Sequence, residues 1–424
     1  MKIAVLGYGV EGQSVEKFFA KKKDTQEIKI YDDFTPEELT AEELGKMDLV
    51  FRSPSVSPHK LPRDLPEGVE MTTATRYFFE HCPATIIGVT GTKGKGTTCT
   101  MIKKILEAFG EKVHLLGNIG KPAITALPRV KADDVVVYEM SSFQLWDLEK
   151  SPHVAVVLRI EPDHLNVHDD YDDYVAAKAN IARHQGKDDY VIYYRDNDDS
   201  ARIAKGSAGT VIPYPAEMPR LHKLVAENLK LPGEHNVENA MAAVAAVASY
   251  YGVDLETFLR SRKNYGLVKK ALQEFEGLPH RIQFIRELNG VRYYDDNFSS
   301  ALPALDVALK TFEGYPTILI AGGMNKGTDE SVIQERIFSA PNLKKAILIG
   351  ETKEALSKGQ NPLQYICAET LAMAVEAAQD VAEGYADDGE TAVVLMSPGH
   401  ASFDMFKNFG DRGEQFTKLV KKLK

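Results

Sequence analysis

The chain has 424 residues, a formal net charge of −10 and three cysteines. That length exceeds what one hydrophobic core serves and predicts about three domains of roughly 150 residues each. The acidic balance argues against nucleic acid as the main partner, the scattered cysteines suggest neither a disulfide framework nor a thiolate metal site, and no apolar stretch reaches the ~18 residues of a membrane span. The chain opens directly into a strand pattern without a signal-peptide pattern, so a cytoplasmic location is expected.

The first ~84 residues read as a β-turn-α-β unit. Lys2 to Leu6 is a strand, Gly7-Tyr-Gly-Val-Glu-Gly12 a turn, Val15 to Ala20 a helix and Glu27 to Tyr31 a second strand, ending at Asp32 and Asp33. The Lys21–Lys23 run reads as a solvated helix end. A GxGxxG followed 20 residues later by an acid fits the dinucleotide fingerprint, and it also fits a Rossmann-like turn that binds no nicotinamide. The Pro-rich segments Ser53–Pro58 and Leu61–Pro66 read as loop.

A glycine-rich loop, Gly88-Val-Thr-Gly-Thr-Lys-Gly-Lys-Gly-Thr-Thr98, lies between the apolar run Ala84–Ile87 and a helical pattern from Met101. Small residues let backbone N–H groups close around a phosphate. The helix N-terminus adds about half a positive charge and Lys95 a full one. A nucleoside triphosphate is the expected ligand. Gly96 follows Lys95, where Ser or Thr is usual.

Asp134–Tyr138 and Val154–Leu158 read as strands, and ligands in parallel sheets lie beyond strand carboxyl ends. Glu139 there could hold Mg²⁺ or cap a helix. Asp163, His164 and His168 could serve a metal or phosphate, or be structural. Lys178, in a helical pattern, reads as an ordinary surface lysine. His235-Asn-Val-Glu-Asn239 opens an Ala-rich helix, Asn236 to Tyr251; its amides could read a ligand or cap the helix.

Gly277-Leu-Pro279 marks a boundary, followed by His280-Arg281, a phosphate fork or a surface pair. Strands Thr317–Ala321, Lys345–Ile349 and Thr391–Leu395 with a helix Ala368–Ala382 predict a third α/β unit. Ala321–Asp329 and Met396–Phe406, continuing to Phe416, leave strands into helix starts and suit a small anionic ligand.

Taken together, the phosphate loop, Gly117-Asn-Ile-Gly120, Glu139-Met-Ser-Ser-Phe-Gln-Leu145, Asp163-His-Leu165, His235-Asn-x-x-Asn239, Pro279-His-Arg281 and Ser397-Pro-Gly-His-Ala-Ser-Phe-Asp-x-Phe406 with Arg412-Gly-x-x-x-Phe416 resemble the Mur ligase family over nearly the whole chain. The last segment is similar to the branch that adds D-glutamate. The resemblance implies an α/β fold of three domains: a Rossmann-like UDP-substrate domain (1–84), a central P-loop-type ATPase with a parallel sheet (85–278) and a Rossmann-like amino-acid domain (279–424). It implies closure about hinges near residues 84 and 278. It also implies ATP- and Mg²⁺-dependent addition of D-glutamate to UDP-N-acetylmuramoyl-L-alanine through an acyl phosphate, in peptidoglycan precursor synthesis, by a monomer.

Residue by residue, the resemblance assigns Gly91, Thr92, Lys93, Gly94, Lys95, Gly96, Thr97, Thr98, Asn236, Asn239, Arg281 and Asp296 to ATP. Gly9, Val10, Asp32, Asp33, Ser53, Asn118, Ser141 and Gln144 go to the UDP substrate, and Ser300, Lys326, Ser397 and Phe403 to D-glutamate. Lys95, Glu139, His164 and Lys178 are the catalytic set, with Thr97, Glu139, His164 and a carbamylated Lys178 on the metal. The chain departs from the family at Gly96, at Phe298 where many relatives carry a lysine, and at Arg159 and Asn166. Three other readings remain: a related folylpolyglutamate-type ligase, a nicotinamide oxidoreductase and an inactive nucleotide-binding protein.

Overall fold

The computed structural model describes residues 1–33, 39–62, 65–165, 167–215, 218–325, 327 and 329–424. It is an α/β protein that divides into two compact units, Met1–Asn228 with His235–Gln273, and Leu229–Glu234 with Glu274–Lys424.

The first unit carries two parallel sheets. Strands β1 (Lys2–Leu6), β2 (Glu27–Tyr31), β3 (Leu49–Arg52) and β4 (Glu70–Thr72) pair in the order β2-β1-β3-β4. Ile3 of β1 lies opposite Ile28 and Leu49. Apolar residues pack on both faces: Val15, Phe19 and Phe51 on one, Leu39, Leu44 and Val50 on the other. The helix after β1 spans Val10–Phe19, so half of the expected turn is helical. Gly12 tolerates no side chain there, because a Cβ would meet the Gly7 carbonyl oxygen at 2.3 Å. Lys22, expected to be solvated, donates to the Tyr77 hydroxyl at 3.0 Å and lies over the Phe18 ring.

The second sheet holds β5 (Thr85–Thr90), β6 (Val113–Gly117), β7 (Val135–Glu139), β8 (Val154–Val157), β9 (Tyr190–Tyr194) and β10 (Thr210–Tyr214), ordered β10-β9-β8-β5-β7-β6. Strands β7 and β8 are buried along their whole length, as continuous Val runs in a sheet covered on both faces must be. The Ala-rich helix, Glu234–Tyr250, buries Ala240, Ala242, Ala243, Ala245, Ala246 and Ala248. β5 sits between β8 and β7, so the phosphate loop leaves the interior of the sheet.

The second unit has one mixed sheet: β11 (Gln283–Leu288), β12 (Val291–Asp295), β13 (Thr317–Gly322), β14 (Leu343–Ile349), β15 (Tyr365–Cys367) and β16 (Ala392–Met396), ordered β11-β12-β16-β13-β14-β15. Only β11 runs antiparallel, through a hairpin at Asn289 and Gly290, both at positive φ as such a turn requires. The helix expected at Ala368–Ala382 spans Leu371–Asp387; Thr370 caps it by accepting from the Met373 N–H.

Candidate active site

The phosphate loop turns from β5 into the helix Lys95–Ala108. Two of its glycines are required by close approach. A Cβ on Gly91 would lie 2.6 Å from Leu158 Cβ, and one on Gly94, at φ +83°, 2.5 Å from Asn239 Oδ1. Asn239 is thereby brought against the loop. Lys95 Nζ curls back to the carbonyl oxygens of Gly91 (3.0 Å) and Thr92 (2.9 Å). Lys93 is exposed, and Gly96 and Thr97 are half-buried in the first helical turn. The Thr98 hydroxyl is buried with no partner among the described residues.

Lys178, read as a surface lysine, is 2% exposed. Its ammonium donates to the same Gly91 carbonyl oxygen, at 3.0 Å, and lies 4.6 Å from the centroid of the Tyr174 ring. Burial, with the nearby Lys95 charge adding to it, holds Lys178 well below the ordinary lysine range. The helix Tyr171–Arg183 thus delivers a second lysine side chain to the mouth of the loop.

Glu139, at the end of β7, is buried and accepts from Asn118 Nδ2 at 3.0 Å; the Asn118 N–H donates to the Glu139 carbonyl oxygen, also at 3.0 Å. Gly117 makes this possible, since a Cβ there would sit 2.2 Å from that oxygen. His164, at φ 55°, is half-exposed with its ring 4.9 Å from that of Phe143. His168 belongs to a different, structural group. Its Nδ1 lies 2.8 Å from Asp173 Oδ2 and its Nε2 2.9 Å from Ser142 Oγ. Burial holds it below the usual imidazole value, against the opposing pull of the Asp173 hydrogen bond. Among the described residues no three His, Cys, Asp or Glu side chains converge as a ready metal cage. Asn166 lies outside the described residues.

At the strand ends of the first sheet, Asp32 Oδ1 accepts from the Tyr8 N–H (2.9 Å) and Ser53 Oγ donates to the Gly7 carbonyl (2.5 Å). Gly9 precedes the helix start, and Val10 and Asp33 are exposed. Ser141 and Gln144 form a capping box on the helix Ser142–Leu145. The Gln144 amide nitrogen then donates to Glu11 Oε1 at 2.7 Å. Arg52, fully buried, donates to Asp147 Oδ2 (2.6 Å) and to the carbonyls of Val56 and Phe143. Sequence reasoning gave Glu11 and Arg52 no role. Glu11 hid among the variable positions of the glycine motif.

In the second unit, Ser397 Oγ donates to Asp296 Oδ2 at 2.8 Å, and both residues are buried. Burial pushes the Asp296 carboxyl up to about 7. Arg412 is fully buried and donates to Asn297 Oδ1 (2.6 Å) and to the carbonyls of His400 (3.2 Å) and Ala401 (3.3 Å). His400 in turn pairs with Glu330 at 2.8 Å. These bonds shape the loop after β16. Ser300 is part-exposed near it in sequence to Asp296, and Phe403 is exposed. Lys326 lies outside the described residues.

A UDP-N-acetylmuramoylalanine–D-glutamate ligase of Acetivibrio thermocellus is 36% identical over 410 residues, covering 89% of this chain and 83% of the relative. One of the same name from Clostridium tetani is 31% identical over 460 residues, covering 100% of this chain and 97% of the relative. The chain belongs to the Mur ligase family. The family description "Mur ligase middle domain" matches residues 89–220, the stretch that holds the loop, Glu139, His164 and Lys178. A MurF from Acinetobacter baumannii shares the fold, with a TM-score of 0.58 at 17% identity over 91% of this chain and 93% of that one.

In this Mur ligase the first unit gathers Gly91 to Thr98, Asn239 and Lys178 at one loop, and separately joins Asn118 to Glu139. The second unit gathers Asp296 and Ser397. Arg412, which with Asn297 holds the latter loop in shape, was legible only as a member of a motif.

Proposed function

We propose that this Mur ligase adds D-glutamate to UDP-N-acetylmuramoyl-L-alanine with ATP, through an acyl phosphate. The observation that carries the reading is the meeting of the Lys95 and Lys178 nitrogens on the Gly91 carbonyl oxygen, at the mouth of a glycine cradle: two lysine side chains brought to the place where phosphate would lie. The D-glutamate ligases similar over 89% and 100% of the chain supply the acceptor and amino acid.

The loop Gly91, Thr92, Lys93, Gly94, Lys95, Gly96, Thr97 and Thr98 with Asn236, Asn239, Arg281 and Asp296 would take ATP. The glycine cradle and the orphaned Thr98 hydroxyl fit a phosphate. Glu139, His164, Thr97 and a carbamylated Lys178 would hold Mg²⁺. When bound, Mg²⁺ supplies Lewis-acid compensation of the transferred phosphoryl charge. Lys95 compensates the same charge from the protein side while the alanine carboxylate attacks the γ-phosphorus and ADP leaves. Carbamylation suits Lys178: burial and the Lys95 charge favour its neutral amine, which would bond CO₂ and release a second proton, leaving a carboxylate-like anion beside Lys95.

Gly9, Val10, Asp32, Asp33, Ser53, Asn118, Ser141 and Gln144 would bind the UDP substrate. Ser300, Lys326, Ser397 and Phe403 would hold D-glutamate while its neutral amine attacks the acyl carbonyl, so that the amide bond forms as phosphate leaves and the amine gives up a proton. Boundaries at 84 and 278, a monomer and a cytoplasmic setting complete the proposal; among the described residues no helix is long and apolar enough to cross a membrane.

The test offers the enzyme UDP-N-acetylmuramoyl-L-alanine, ATP and Mg²⁺ with D-Glu, L-Glu, L-Lys or glycine, and measures ADP. D-Glu should give the fastest release. Equal rates with all four overturn the assignment.

A further inference from the structure

Arg281 is presented by a strained turn. The residues on either side of it, His280 and Ile282, have φ of 61° and 45°. For Ile, branched at Cβ, that is an outlier conformation, and such strain persists only where surrounding contacts over-determine it. They do so here. The His280 carbonyl accepts from the Phe298 N–H at 2.9 Å, and the Ile282 N–H donates to Asp296 Oδ1 at 3.1 Å. His280 Nδ1 lies 2.7 Å from Asp295 Oδ2. The helix Phe409–Lys422 closes the back of the turn so tightly that a Cβ on Gly413 would stand 2.1 Å from His280 Nδ1.

The turn lays the Arg281 guanidinium on a ring. Its central carbon is 3.8 Å from the centroid of Phe298. Phe298 is 45% exposed, so burial in the core does not account for an aromatic side chain at this position. Phe409 meets it edge to face, at 5.1 Å and 79°. A guanidinium held over an aromatic face keeps its charge and is limited in how far it can swing. That is the posture for a fork that grips a phosphate oxygen pair.

We propose that Phe298 is a positioning residue that fixes Arg281 for contact with the ATP phosphates, with Phe409 bracing the ring. The inference rests on the reading of Arg281 as an ATP-facing residue. It gives a purpose to an exposed aromatic side chain: the charge comes from Arg281, and the ring sets where that charge points.

The experiment compares Phe298→Ala, Phe298→Leu, Phe298→Tyr and Arg281→Ala, alone and with Phe298→Leu and Arg281→Ala combined. KM for ATP and kcat are read from ADP release, affinity for a non-hydrolysable ATP analogue from calorimetry, and folding from the thermal midpoint. Loss of a cation–π contact should weaken ATP about five- to tenfold in the Ala and Leu variants with the midpoint held. Tyr should restore affinity to within about twofold, since its ring presents the same face. In the Arg281→Ala background, Phe298→Leu should add nothing. If Arg281→Ala leaves ATP affinity unchanged, the reading of Arg281 fails. If Arg281→Ala weakens ATP but Phe298→Leu does not, or if their effects simply add, that reading stands and the positioning role is overturned.

Discussion

Lys178 and Arg412 are both buried cations, at 2% and 0% exposure, and the chain treats them in opposite ways. The Arg412 guanidinium donates to Asn297 Oδ1, the Asn297 carbonyl, and the carbonyls of His400 and Ala401. Those acceptors are dipoles rather than a carboxylate, and together they fasten the loop after β16 to the loop after β12. Lys178 donates to one carbonyl oxygen, and Lys95 donates to the same one. An ammonium has three donors. Arg412 therefore sits in a finished structural site, whereas Lys178 shares its carbonyl acceptor with Lys95. Under the proposed function, the contrast separates a basic side chain that stabilises from one that works.

The largest expected effect tests the working half. Lys95→Ala should cut ADP formation by about a thousandfold, the scale seen when a charge that stabilises phosphoryl transfer is removed. The same change relieves like-charge repulsion on Lys178, so the thermal midpoint should hold or rise. A fall in midpoint with activity retained would erase the distinction between the two sites.

Arg412→Leu addresses the finished half. It leaves Asn297 Oδ1 and buried carbonyls without their donor, and each unsatisfied buried acceptor is expensive. A loss of about 3 kcal/mol in urea unfolding is expected. Gly413→Ala, one residue along, should cost about 2 kcal/mol by forcing His280 away from Asp295. Its damage should appear as stability, with ATP affinity falling only so far as the turn around Arg281 loosens.

The sequence resolved these two sites unequally, and for physical reasons. Periodicity located the strands closely: Asp134–Tyr138 became Val135–Glu139, and Thr391–Leu395 became Ala392–Met396. The helix from Val10 was read as starting at Val15, because glycines suggest turns and nothing local says that Gly12 is pressed on the Gly7 carbonyl. Lys95 was legible since its role is written in the residues beside it. Lys178 was not: its burial is decided by a loop 87 residues away, so composition alone made it a surface lysine. Glu139 and Asn118 belong to different strand ends and meet only once the sheet order is known. His168, by its place after a strand, could be read as a ligand or as structural. In the fold it is occupied by Ser142 and Asp173.

Glu11 offers the anionic counterpart to Lys178 and the smallest predicted effect. Its Oε1 accepts from Gln144 Nε2, while its Oε2 is closed off from solvent with no partner among the described residues. Burial raises its carboxyl above the ordinary glutamate value; the Gln144 hydrogen bond and the Arg52 charge oppose that rise. The folded chain therefore keeps a proton that the unfolded chain releases. By linkage, the stability this gives is fully present below the unfolded value, near 4.5, and is lost as pH rises through the raised folded value. Glu11→Gln cannot titrate and keeps an acceptor for Gln144. The variant should match the parent in acid and become more stable than it by about 0.5–1 kcal/mol on the alkaline side of that window. Urea midpoints of both proteins at pH 4, 6 and 8 decide it. A parent that gains on the variant as pH rises would mean that Glu11 is held as a satisfied anion, like the dipole-bound Arg412, rather than as a buried group left short of a partner, like Lys178.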